Sequence, residues 1–74
     1  MDWVSIESTA LSACAYEPRE RALYLRFESG EVYRYLFFMP GQYQAFLAAE
    51  SKGKYFAEHI RDKFPWEHLP SRAA

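Results

Sequence analysis

The sequence predicts an α+β fold, a three-stranded antiparallel β-meander followed by two α-helices packed on one face of the sheet. Two runs of period-two alternation, Ala22 to Glu28 and Glu31 to Phe37, flank a Ser29-Gly30 hairpin signal. A run of small apolar residues, Leu11 to Tyr16, precedes them, and a stretch with helical spacing follows between Pro40 and Pro65.

Each element has a local reason. Val4 and Ile6 alternate with polar neighbours and open an extended arm. Leu11 to Tyr16 suits a strand flanked on both faces, and Glu17-Pro18-Arg19-Glu20-Arg21 reads as a turn in which Pro18 presets the backbone angle. The hairpin register can be argued from burial. A two-residue loop would gather Leu23, Leu25 and Phe27 with Val32, Arg34 and Leu36. A three-residue loop, with Gly30 left-handed and forming a bulge, places Phe27 opposite Glu31 and Leu25 opposite Tyr33. It gathers Leu23, Leu25, Phe27, Tyr33, Tyr35 and Phe37 on one side, and it is the expected register because the alternative drives Arg34 into the core.

Pro40 suits a first helical turn, and Tyr43, Phe46, Leu47 and Glu50 follow at helical spacing. Gly53 is expected to end this helix and Ser51 to cap the next. The second helix is predicted from about Lys54 to Phe64, with Phe56, Ile60 and Phe64 on one stripe, until Pro65 stops it. Trp66 and Leu69 are expected to fold back onto the core and residues 71–74 to fray. The chain reads as a single domain, 1–74, with a core from about 4 to 64 and a C-terminal tail from 65 to 74.

A chain of 74 residues buries only about 60% of the surface its unfolded form exposes, so large side chains matter. Its aromatic share of 19% makes core-filling the first reading of any ring. The single cysteine, Cys14, excludes a disulfide within the chain and favours a reducing, cytoplasmic setting. Asp2 stands where a signal peptide would carry positive charge, and no apolar run of membrane-spanning length follows. A net charge of −1 removes any global attraction to phosphates, so a nucleic acid would need a local patch.

The order of residues resembles the KTSC domain, a module named for its place at the C-terminus of some lysyl-tRNA synthetases and also found as a stand-alone bacterial protein. The anchors are Tyr16 before an acidic residue, Leu23-x-Leu25-x-Phe27, Gly30-x-x-Tyr33-x-Tyr35, Pro40, Tyr43, Ser51-x-Gly53-x-Tyr55-Phe56 and Ile60, covering Val4 to about Phe64. The resemblance implies the same sheet-and-helix fold and, through the synthetase association, RNA binding. Ala15 stands where the family often has glycine, and Ala57 where it commonly has asparagine.

Tyr33-Arg34-Tyr35 is the most conspicuous motif. Surface aromatics on a sheet can stack bases, but alternation places both tyrosines with Leu23, Leu25 and Phe27, so they read as core. The open face carries Tyr24, Arg26, Val32, Arg34 and Leu36, where one ring and two guanidinium groups can stack a base and hold a phosphate. The blander alternative is a cross-strand cation–π pair worth about 0.5 to 1 kcal/mol. Lys52 and Lys54 open the second helix and can add to a phosphate site, although Glu50 blunts their charge. RNA contact through Tyr24, Arg26, Arg34, Lys52 and Lys54 is therefore the leading expectation. The competing one is a protein-interaction or self-associating module using the same face or the free edge of the first strand.

Little points to catalysis. Cys14 sits in an apolar strand, whereas a nucleophile needs an electropositive, partly exposed setting. His59 and His68 lie nine positions apart with no second cysteine to complete a zinc-site spacing. The expectation is a non-enzymatic module with no cofactor, no metal and no membrane partner.

Overall fold

Five strands, where the sequence predicts three, form one antiparallel sheet in the order β1-β2-β3-β4-β5 in the computed structural model, which describes residues 1 to 70. They are β1 (Val4–Ser5), β2 (Leu11–Glu17), β3 (Ala22–Phe27), β4 (Val32–Tyr35) and β5 (Trp66–Leu69). The first addition is the expected arm, which pairs Val4 with Cys14. The second corrects the tail: Trp66 to Leu69 pairs with β4, Tyr35 opposite Trp66 and Val32 opposite Leu69. Four residues are too few for alternation to identify a strand, and this one finds its partner far back in the chain. The fraying expected of residues 71–74 lies outside the described residues.

The β3–β4 hairpin adopts the three-residue loop. Leu25 pairs with Tyr33 and Arg26 with Val32, while the Phe27 amide donates to the Glu31 carbonyl at 2.8 Å. Gly30 takes φ 94°, a left-handed conformation that a Cβ would strain. Odd residues of β3 and β4 therefore face the helices and even residues face away. In β2 the register shifts between Leu11 and Ala13, a bulge that turns Leu11 and Cys14 to the helix side although their spacing is not even.

Phe37 departs from its expected place in the core. At φ 61° it reverses the chain after β4 and stands 66% exposed, and Phe38, at 1%, fills the core instead. The Phe38 amide donates to the Arg21 carbonyl, which holds that reversal against β3.

Helix α1 (Pro40–Ala48) starts at Pro40, as expected, and the Gln42 side chain accepts from the Met39 amide at 2.7 Å. Helix α2 (Lys52–Tyr55) begins earlier and runs shorter than expected, then widens into a π-helical stretch, Phe56–Ile60. Phe64 lies beyond it. Ser51 caps α2 by accepting from the Lys54 amide at 3.2 Å. Gly53 lies inside α2 and does not end α1. A Cβ there would meet the Ser8 hydroxyl at 2.9 Å, so the glycine is explained by close approach of the N-terminal loop.

Between helices and sheet lies the main core, with Leu11, Cys14, Leu23, Leu25, Tyr35, Phe38, Phe46 and Ile60 buried together. Ala15, Ala22 and Tyr24 form a second, thinner cluster on the other face, covered by Trp3, Val32, Leu36 and Leu69. No helix among the described residues is long and apolar enough to cross a membrane.

Candidate functional site

Two surfaces deserve comparison: the sheet face away from the helices, which the sequence singles out, and a groove on the helix side, which it does not. On the outer face Tyr24 is not free to stack a base. Its ring is 8% exposed and edge-packed against Trp3, centroids 6.5 Å apart. Its hydroxyl accepts from Arg34 Nη1 at 3.2 Å and donates to Glu20 Oε1 at 2.8 Å. Burial first, then these neighbours, leave the phenol's pKa above its ordinary value.

Arg34 is equally committed. It pairs with Glu67 of β5, with Nε donating to Oε1 at 2.9 Å, and its guanidinium carbon lies 5.8 Å from the Tyr24 ring centre. The blander alternative, a solubilising cation–π pair, describes this residue. Arg26 remains exposed, stacked over Trp3 at 4.5 Å and without a carboxylate within ion-pair distance among the described residues. Lys52 and Lys54 do not join the patch. Both belong to α2 on the opposite side of the sheet, where the Lys52 ammonium donates to the Ala49 carbonyl at 3.1 Å.

Tyr33 and Tyr35 lie on the helix side, as expected, yet they are more than core. They line a groove of about 440 Å³ together with Phe27, Phe56 and Trp66. The five rings succeed one another: Trp66 to Tyr33 at 5.5 Å, Tyr33 to Phe27 at 5.5 Å, Phe27 to Phe56 at 5.4 Å and Phe56 to Tyr35 at 5.7 Å. The last three contacts are edge-to-face, the arrangement that ring quadrupoles favour. Trp66 stands opposite Tyr35 in the strand register and so closes the series.

Charged groups border the rings. Glu31, Arg61 and Asp62 line the same groove, and Glu31 is 3.0 Å from His68 Nε2. Asp62 takes φ 61°, directly after the π-helical stretch. Tyr35 is 5% exposed, and its hydroxyl has no hydrogen-bond partner among the described residues. The hydroxyl is not sealed from solvent, and the Tyr35 side chain lines the groove. Burial, with the charges of Tyr33 and Asp62, pushes its pKa up to about 12, so it is a neutral phenol that can donate and accept.

The remaining expectations concern titratable residues. Cys14 is fully buried with its sulfur 3.9 Å from the Tyr43 hydroxyl, and burial pushes the thiol's pKa up. His59 lies within the π-helical stretch against the Tyr55 ring, while His68 sits on β5 beside Glu31. No group of three or more histidine, cysteine, aspartate or glutamate side chains converges among the described residues. Sequence reasoning missed Trp3, Glu67, Trp66 and Asp62. The usable signal was the pair Pro65 and Pro70, which brackets Trp66 to Leu69 as a short element of its own.

Comparison with known proteins agrees with this fold. The model of the KTSC domain matches residues 7–64. A protein of Tsukamurella paurometabola is 37% identical over 59 residues, covering 80% of this chain and 88% of its own length. A lysine–tRNA ligase of Nostoc punctiforme is 33% identical over 63 residues, 85% of this chain but 11% of the ligase. The crystal structure of a KTSC domain protein from Yersinia pestis superposes with a TM-score of 0.89 at 28% identity, covering 93% of this chain and 97% of the other. The fold thus occurs both as a small protein of its own and as a minor part of a much larger ligase, and the chain described here belongs to the KTSC domain family.

Proposed function

We propose that this domain is a non-enzymatic binding module that holds its ligand in the aromatic groove. The observation that carries this reading is the groove itself, lined by five successive rings, Tyr35 among them, and bordered by Glu31, Arg61 and Asp62. A concave apolar site with a few convergent polar groups is how proteins hold small ligands and side chains, and about 440 Å³ lies within the usual range of such sites. Backbone features add support, since π-helical turns and non-glycine residues at positive φ both gather at binding sites. A ligand-observed NMR screen of small amines, nucleosides and short peptides tests it. Hits are expected to lose binding to Trp66→Ala; hits that survive Trp66→Ala and vanish with Trp3→Ala contradict it.

RNA binding through the outer face is the second reading, favoured by the occurrence of similar segments in two lysine–tRNA ligases. Among the described residues of that face Arg26 is the cation without an ion-pair partner, and it lies over the Trp3 ring, so the face offers one or two phosphate contacts there. Labelled RNA pools titrated at two salt concentrations decide the matter. An affinity falling with a log–log slope of about −0.7 per phosphate, and lost in Arg26→Glu, supports it; an affinity unchanged by that substitution excludes it.

A further inference from the structure

Resting on the groove reading above, we propose that the occupant is a lysine side chain presented by a partner polypeptide. Aromatic faces attract an ammonium group through their quadrupoles, and the attraction grows as water is excluded. The rim carries two carboxylates, Asp62 and Glu31, against one guanidinium, Arg61; Glu31 is engaged by His68 Nε2 at 3.0 Å, so Asp62 is the carboxylate that would meet a cation there. A lysine stem of four methylenes matches the apolar walls while its head reaches the rim, where the Tyr35 hydroxyl and Asp62 can both accept a proton-bearing nitrogen.

The polypeptide source follows from topology. Among the described residues strand β5 has one neighbour, which leaves its outer edge unpaired there, and Trp66 and His68 stand on its groove side opposite Tyr35 and Tyr33. A strand added along that edge would send every second side chain toward the groove. Pro65 and Pro70 at the two ends of β5 restrict such pairing to a short segment.

The test is a ¹⁵N NMR titration of the full chain with the blocked peptide Thr-Val-Lys-Val-Thr, its norleucine counterpart, choline and adenosine. The lysine peptide is expected to shift the Trp66 indole resonance, and its affinity to fall at least about fivefold with norleucine or with Asp62→Asn. Asparagine tolerates the backbone angle of Asp62, so that variant removes charge without refolding the turn. Choline binding without the lysine peptide overturns the polypeptide source. Adenosine binding without either cation, or equal affinity for norleucine, overturns the cation class while leaving the groove reading intact. If no probe moves Trp66, both proposals fall.

Discussion

Gly53 and Ser8 set how closely α2 approaches the N-terminal loop, and the fit leaves no room for a methyl group. The Ser8 hydroxyl cannot turn away without loss, because it accepts from the amides of Ala10 at 3.1 Å and Leu11 at 3.3 Å. Gly53→Ala ought to gain about 0.5 to 1 kcal/mol of helix propensity, yet it is expected to lower the urea midpoint. In a Ser8→Ala background, where the clash is absent, the same substitution should raise it. Tyr35 provides a pH test. Its pKa is pushed up to about 12, from an ordinary value of 10.0, by burial and by Tyr33 and Asp62. The unfolded chain loses this proton near pH 10 while the folded chain keeps it, so the contribution is complete below pH 10 and vanishes as pH rises through about 12. Wild type should therefore lose stability between pH 8 and pH 11, and Tyr35→Phe should lose less. Tyr43, also raised to about 12 by burial, keeps the variant's profile from being flat.

At the scale of elements, much of the fold was legible in the sequence and the exceptions have physical causes. The hairpin register followed from a single choice, because one slip would have buried Arg34, and glycine marked the left-handed position. Helix α1 followed from Pro40 and the spacing of Tyr43, Phe46 and Leu47. Strand β5 escaped notice because it is short and pairs with a distant partner. Phe37 misled because alternation cannot register a backbone reversal at the last strand position, and the early end of the second helix reflects a π-helical turn that no residue pattern announces. Tyr24, Arg26 and Arg34 do share the outer face, but the availability of Arg34 depended on Glu67, an acidic residue in the assumed tail, and that of Tyr24 on Trp3 and Glu20. The Arg34–Glu67 pair that ties β5 to β4 is partly exposed, 28% and 50%, which limits its value. Glu67→Ala is expected to cost at most about 1 kcal/mol in urea unfolding, whereas Ile60→Ala, at a fully buried position, should cost about 2 to 5 kcal/mol. Equal effects would mean that the fold depends on the ion pair as much as on this core position.

The whole molecule presents two surfaces with opposite chemistry, separated by the sheet. One is an apolar layer around Trp3 on which Arg34 is paired with Glu67 and Arg26 lies over the indole; the other is a ring-lined groove beside Trp66 bordered by Glu31, Arg61 and Asp62. Each surface holds one of the chain's two tryptophans, so the molecule carries a natural reporter for either mode of binding. On the reading proposed above, ligands engage the groove. The most direct measurement is a ¹H–¹⁵N spectrum following both indole N–H resonances as the lysine peptide and, separately, labelled RNA are added. The expected result is a saturable shift of Trp66 with the peptide while Trp3 stays in place. Movement of Trp3 alone, with either ligand, would contradict the account and return the binding surface to the outer face of the sheet.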